Sequence, residues 1–194
     1  MRAALSTMIS MMLLSACGTS PPVQYFRLDT IHTDYQRDAM AATVVAMGPI
    51  RIPEYLKRPQ MVVQQQGAEV KVDEFNRWAE PLDQAVHRTL ASNADTLLDS
   101  VVVLAYPTSA IASVKYRVVG RVDRFDSDQA GTTVLAIQWG IADEEGNDML
   151  PVRRSMYKTQ ATPAGDAAAI AQAMSKLIAQ CSEEMATEIE KLVQ

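Results

Sequence analysis

Cysteine and histidine are scarce in this sequence of 194 residues, which contains two of each. Two cysteines cannot build a disulfide-based fold, and four such side chains leave few ligands for zinc or haem. Basic residues are in the minority, because 18 Lys and Arg face 23 Asp and Glu, for a net charge of −5. Nucleic-acid binding needs a cationic face for the phosphates, so the composition argues against it. We expect neither a cofactor nor a bound metal.

Sequence motifs typical of catalysis are missing as well. The sequence contains no Gly-x-Ser-x-Gly element and no glycine-rich phosphate loop. His87 has Asp83 four residues earlier on a predicted helix, which indicates a solvated pair on the helix surface. Cys181 falls on the apolar side of another predicted helix, where a buried structural thiol is expected. The sequence therefore predicts no catalytic residue.

Long apolar runs are absent except near the N-terminus. Residues 3–14 are uncharged and mostly apolar, and they follow Arg2. As a helix they would span about 18 Å, short of the ~30 Å hydrocarbon core of a bilayer, which favours a secretory signal over a transmembrane helix. The segment ends in Leu14, Ser15, Ala16 and Cys17, which resembles the lipobox of bacterial lipoproteins. The resemblance implies cleavage after Ala16, diacylglycerol on the Cys17 sulfur and acylation of the new amine.

The lipobox divides the chain into three predicted parts: residues 1–16 as a lipoprotein signal peptide, 17–24 as the lipidated cysteine and a short tether, and 25–194 as a periplasmic domain. The residue after the cysteine is Gly18, not the Asp that resembles an inner-membrane retention signal, which favours the outer membrane. Residues 18–24 reach at most about 25 Å when extended. We therefore expect the folded domain to lie close to the membrane that holds it.

The remainder, residues 25–194, predicts a single two-layer α+β domain, with a mostly antiparallel sheet of about seven strands packed by two main helices. A hairpin is expected around Gly67, and the apolar run 101–106 is typical of a central strand covered on both faces. Three alternating segments between residues 113 and 160 predict an antiparallel meander. Residues 167–192 predict the last helix. Apolar residues at helical spacing predict the buried side of the first helix: Leu82, Val86, Leu90, Ala94 and Leu97.

Two further segments carry a family resemblance. One contains Tyr55, Leu56, Arg58, Pro59 and Gln60, and the other contains Arg77, Trp78, Glu80 and Pro81. Together with the lipobox, they make the chain similar to the PqiC-type auxiliary lipoproteins of ABC/MCE intermembrane transport systems. The motif residues could form a partner interface or could be structural. A structural role is the preferred interpretation for Trp78, packed at the start of a helix, and for Pro81, whereas Arg58 stays open between an interface and an ion pair.

The resemblance implies a non-enzymatic, outer-membrane-anchored periplasmic subunit. Its partner would be an MCE-domain protein anchored in the inner membrane, whose far end it docks, so that phospholipid passes between the membranes and the envelope stays intact. A homo-oligomeric ring would suit docking around a symmetric tube. Two alternatives remain at the level of the sequence. One is a lipoprotein scaffold or activator of cell-wall enzymes, for which a longer tether is expected, and the other is a lipid-modifying hydrolase, which needs a nucleophile and a base converging in a pocket.

Overall fold

The computed structural model describes residues 21–32, 43–107 and 113–194. The predicted signal peptide and lipidation site, including Leu14, Ser15, Ala16 and Cys17, lie outside the described residues. Within the described ranges, no helix is long and apolar enough to cross a membrane.

The described chain forms eight strands, two α-helices and one short 3-10 turn at Glu54–Leu56. The strands are β1 (Gln24–Phe26), β2 (Thr43–Arg51), β3 (Gln60–Gln64), β4 (Val70–Trp78), β5 (Val101–Ala105), β6 (Tyr116–Asp128), β7 (Thr132–Asp143) and β8 (Asp148–Gln160). The helices are α1 (Leu82–Leu97) and α2 (Ala167–Val193). The predicted two-layer α+β domain with two main helices is confirmed, with eight strands where about seven were expected.

All eight strands belong to one sheet that forks at β6. On one side of β6, the predicted meander is present, since β7 pairs with β6 along its length and β8 pairs with β7, both antiparallel. On the other side, the first half of β6 pairs in parallel with β2, and β2 with β5. The last residues of β6 pair with β3, which is followed by β4 and β1. The hairpin β3–β4 is the one predicted around Gly67.

The expected central position of residues 101–106 is wrong. The strand β5 pairs with β2 alone among the described strands, so it stands at an end of the sheet. Val101 and Val103 are buried, whereas Val102 and Leu104 on the opposite face are only half-buried. The apolar run therefore reflects one face packed on α1 and a second face that is partly covered, which periodicity alone cannot separate from a strand buried on both sides.

Both helices pack on the same face of the sheet, here called the inner face, and contact each other. Leu82, Val86, Leu90 and Ala94 are buried as predicted, but Leu97, the last residue of α1, is 40% exposed. The meander contributes the other half of the core through the inward side chains Val118, Val122, Leu135, Ile137, Trp139 and Ile141. The opposite, outer face of the meander carries charged residues and is not covered by either described helix.

Candidate functional site

The two motif segments meet at one end of the β3–β4 hairpin. Gln60 at the start of β3 lies opposite Arg77 near the end of β4. The backbone N–H of Trp78 donates to the carbonyl of Pro59 at 2.6 Å. An antiparallel hairpin necessarily brings the residue before its first strand beside the residues that end its second strand. The fold thus joins segments that are separated along the chain.

Between these segments lies a cleft of about 210 Å³, here called the motif cleft, lined by Lys57, Arg58, Pro59, Trp78, Ala79, Glu80 and Pro81. The Trp78 side chain is 5% exposed and forms part of the core. Pro59, Ala79 and Pro81 are exposed at the rim. Trp78 therefore has the packing role expected from the sequence, while the two prolines present rigid apolar surface to the solvent.

A set of polar contacts fixes the motif cleft to β1 and α1. Glu80 accepts a hydrogen bond from Nη2 of Arg88 on α1 at 2.6 Å, and the same nitrogen donates to the carbonyl of Leu28 at 3.2 Å. The N–H of Ala79 donates to the carbonyl of Phe26 at 2.7 Å. Pro81 immediately precedes α1 as its N-cap residue. Arg88 does not stand out in the sequence, because its partners lie 8 and 60 residues away.

The two motif arginines differ in their surroundings. Arg77 donates from Nε to the carbonyl of Glu74 at 3.2 Å, and its Nη2 lies 3.9 Å from the Glu74 carboxylate. Arg58 is exposed and makes no ion pair or hydrogen bond with the described residues. Of the two sequence-based interpretations of Arg58, the ion pair therefore finds no support in the described part of the chain. The charge of Arg58 remains available at the rim of the motif cleft.

Tyr55 and Leu56 attach the 3-10 turn to the sheet. Leu56 is buried, and the Tyr55 hydroxyl donates to Oδ2 of Asp126 at 3.0 Å. The other oxygen of the Asp126 carboxylate accepts from Nε of Arg124 at 2.7 Å, and this carboxylate is only 1% exposed. Burial, followed by the nearby Asp126 charge, raises the pKa of Tyr55 to about 12. These contacts give Tyr55 and Leu56 a structural role beside the motif cleft.

Cys181 and His87, the side chains considered for catalysis, both have structural roles. Cys181 is buried near Tyr157 and Glu184, and burial raises the pKa of its thiol to about 12, which keeps it protonated. The expected solvated His87–Asp83 pair is wrong, because His87 is half-buried and its Nε2 accepts the N–H of Ile50 at 2.8 Å. No group of three or more His, Cys, Asp or Glu that could hold a metal ion is found in the described part of the chain.

Comparison with known proteins gives a family-level match. A family model described as "ABC-type transport auxiliary lipoprotein component" matches residues 26–186. The matched range includes both motif segments, both helices for most of their length and the whole sheet except the first residues of β1.

Two characterised relatives carry the same name. The chain is 24% identical over 133 residues to the intermembrane transport lipoprotein PqiC of Escherichia coli (strain K12), covering 68% of this chain and 70% of the relative. The protein of that name from Shigella flexneri matches with the same identity and coverage.

Solved structures share the fold. A crystal structure of an uncharacterized protein superimposes with a TM-score of 0.72 at 21% identity, covering 87% of this chain and 99% of the other. A crystal structure of a protein from Xanthomonas campestris gives a TM-score of 0.64 at 17% identity, with 84% and 93% covered. At sequence identities this low, the similarity to these structures shows a shared fold.

Proposed function

The chain belongs to the family of ABC-type transport auxiliary lipoprotein components, and we propose that it is the outer-membrane-anchored docking subunit of an MCE-type intermembrane lipid transport system. The observation that carries this proposal is the convergence of the two family motifs on one exposed cleft. The similarity to PqiC, an intermembrane transport lipoprotein, supports the transport role. In this proposal the subunit binds and positions its partner and performs no chemistry.

The proposed anchor is Cys17, acylated after removal of residues 1–16, with residues 18–24 as the tether. The strand β1 begins at Gln24, the last residue of the predicted tether, and pairs with β4 at Asn76–Trp78, beside the motif cleft. A cleft so close to the start of the domain would stay near the anchoring membrane, because seven extended residues reach about 25 Å at most. A partner rooted in the inner membrane would have to extend across the periplasm to reach it.

The proposed occupant of the motif cleft is a single anchor side chain, with its neighbouring backbone, from the periplasmic end of an MCE-domain protein. A volume of about 210 Å³ suits one side chain better than a lipid. Rigid proline surfaces at the rim lose little conformational entropy on binding, and an unpaired arginine adds charge-assisted hydrogen bonds to a partner carboxylate or carbonyl. Interfaces of this kind concentrate their binding free energy in a few such residues.

Arg58→Glu in the full-length lipoprotein tests the docking proposal. We expect the Kd for the MCE-domain protein to rise about tenfold, or ~1.4 kcal/mol, since the charge reversal turns attraction to a partner carboxylate or carbonyl into repulsion. Lys176→Glu is the matched control, because Lys176 on α2 is also exposed and does not line the cleft. Unchanged affinity in the Arg58 variant, or equal losses in both, would contradict a docking role for the cleft.

Deletion of the gene tests the cellular role. We expect the envelope to become more sensitive to detergents, wild-type protein to restore resistance, and the Arg58→Glu variant to restore less of it. Normal resistance after deletion, together with no binding of an MCE-domain protein by the purified lipoprotein, would remove the proposal altogether.

We also propose that several copies form a ring around the end of a symmetric partner. The long strand β8 is paired on one side only among the described strands, which leaves the backbone of its other edge for contact with a second copy. Native mass spectrometry of the lipoprotein in detergent should show one closed oligomer. A monomer at micromolar concentration, alone and with the partner, would contradict the ring.

A further inference from the structure

The outer face of the sheet carries a row of three arginines and one glutamine that crosses four strands. Arg51 on β2 lies opposite Arg121 on β6, Arg121 opposite Gln138 on β7, and Gln138 opposite Arg154 on β8. Neighbouring strands are about 4.8 Å apart, and like charges directly opposite each other destabilise a sheet. Arg51 and Arg121 thus place two positive charges side by side, and the Asp123 carboxylate pairs with Arg121 alone.

Apolar side chains lie beside this row. Val152 and Met156, on either side of Arg154 along β8, are 68% and 60% exposed. An open trough of about 380 Å³ runs from Arg51 to Val152 over Val119. Gly140, which lies opposite Val119 on β7, places no side chain in it. We call this surface the arginine face; it consists of Arg51, Val119, Arg121, Gln138, Val152, Arg154 and Met156.

The carboxylates near the arginine face are already engaged. Asp123 accepts from Nε of Arg121 at 3.2 Å and from Gln138 at 2.6 Å, and Glu54 accepts from Lys57 at 2.5 Å. Asp126 is held by Arg124 and Tyr55, as described above. Arg51 and Arg154 make no ion pair with the described residues, so the surface is cationic although the chain as a whole has a charge of −5.

Part of the negative charge of the chain lies on the other side of the molecule. Helix α2 packs on the inner face of the sheet, and it carries Glu183, Glu184, Glu188 and Glu190 in its second half. Glu184 and Glu188 are paired with Arg153 and Lys191, whereas the exposed Glu183 and Glu190 make no ion pair with the described residues, so part of the negative charge on this side is uncompensated. Such a separation orients a protein on a charged surface without requiring a positive net charge.

We propose that the arginine face lies against a leaflet of anionic phospholipid, with the arginine row over the headgroup phosphates. Guanidinium groups bind phosphate oxygens through paired hydrogen bonds, and Val152 and Met156 would enter the boundary between headgroups and acyl chains. A surface that is open across four strands, with cations spaced along it and apolar side chains between them, fits a lipid layer better than a folded acidic partner. The placement rests on the proposed lipid anchor, whose short tether would keep this face within reach of the leaflet.

The experiment uses the full lipidated chain reconstituted into vesicles of phosphatidylcholine, with and without phosphatidylglycerol. A nitroxide on Met156→Cys reports the arginine face, and one on Gln172→Cys reports the exposed side of α2. Cys181 is buried and protonated and does not compete for the label. The measurement is the ratio of the nitroxide's collision rate with oxygen to its collision rate with a water-soluble nickel chelate. In phosphatidylglycerol vesicles this ratio should rise at position 156 and stay unchanged at position 172.

Arg121→Glu/Arg154→Glu should abolish the shift. Lys176→Glu/Lys191→Glu, with the same change of charge on α2, should leave it intact. The two pairs are matched, because each contains one residue with a carboxylate partner: Arg121 with Asp123 and Lys191 with Glu188.

No shift at position 156, an equal shift in neutral vesicles, or an equal shift at position 172 would overturn the proposal. So would loss of MCE-partner binding in the arginine variant with an unchanged vesicle signal, since the face would then belong to a protein interface. The intact mass of the purified chain reports the state of Cys17 separately, so a missing anchor is not confused with an inactive face.

Discussion

His87 shows how one half-buried side chain connects α1 to an irregular part of β2. Its Nε2 accepts the N–H of Ile50, just after the point where the pairing of β2 with β6 shifts register. A Cβ on Gly48, whose φ is +119°, would come within 3.1 Å of the imidazole Cδ2. The imidazole therefore fills the space beside the irregularity and satisfies a backbone donor that has no ladder partner there. The sequence could not reveal this contact, because Ile50 is 37 residues away.

We predict that this hydrogen bond makes the stability of the protein depend on pH. Burial lowers the pKa of His87, although Asp83 opposes the shift, and a protonated Nε2 cannot accept the Ile50 N–H. Above the unfolded-state pKa of about 6.5 the imidazole is neutral in both states and its contribution is complete. Below it the unfolded chain binds more protons than the native one, so the free energy of unfolding falls as the pH drops towards the folded-state pKa.

The comparison with His87→Gln isolates this contribution. A glutamine can accept the same N–H but does not titrate. Urea unfolding at pH 7.5 and pH 5.0 should show the wild type losing about 1 kcal/mol more than the variant between the two values, the net worth of one hydrogen bond. Parallel pH profiles for the two proteins would show that His87 does not control the loss.

At the level of elements, α2 is the clearest case of local sequence determining structure. Asp166 is its N-cap, and the carboxylate accepts the N–H of Ala169 at 2.7 Å. Both the capping residue and the apolar spacing that follows it are readable from the sequence, and the predicted helix 167–192 agrees with the observed Ala167–Val193 to one residue. On β8, Arg153 donates to Glu184 and Glu188 of α2 at 3.3 and 3.1 Å, which fixes the helix over the end of the sheet.

We predict that Asp166→Ala lowers the free energy of unfolding by about 1 kcal/mol, because the Ala169 N–H loses its acceptor at a helix N-terminus. Asp166→Ser, which keeps an acceptor oxygen at the N-cap, should lose only a small part of that. The measurement is the urea midpoint at an unchanged m-value. Equal losses in the two variants would mean that the charge or the turn before the helix matters more than the cap.

The pairing of the strands was harder to predict from the sequence than the strands themselves. Alternation and turn residues are local, and they predicted the meander and the hairpin around Gly67. The fork at β6, and the position of β5 at an end of the sheet, depend on which distant segments pair, and parallel pairs such as β2–β5 have no turn that signals them. The motif cleft was predictable in part. Both of its segments stand out in the sequence, but only the folded hairpin shows that Pro59 lies beside Trp78.

Across the whole molecule, the three proposed features would together position the domain on the membrane. The tether would keep the domain within about 25 Å of the membrane, the arginine face would set its orientation there, and the motif cleft beside β1 would be left for the partner. Each feature resides in a different part of the chain: the lipobox, the meander together with Arg51 of β2, and the segments around β3 and β4. Separate variants can therefore remove one while leaving the others in place.

Acylation of Cys17 is the prediction on which this arrangement depends. Intact mass spectrometry of the mature protein should give the peptide 17–194 plus a diacylglycerol and one further acyl chain. Thiol titration should detect no reactive thiol in the native state and one after unfolding, since Cys181 is the remaining cysteine and is buried. Cys181→Ala should give none in either state, and Cys17→Ala should give a chain without the acyl mass, because no sulfur remains at position 17 to carry it. A mature, water-soluble chain with one reactive thiol before unfolding would show that Cys17 is free. If that chain still bound the partner, the motif cleft would hold the partner without a membrane anchor.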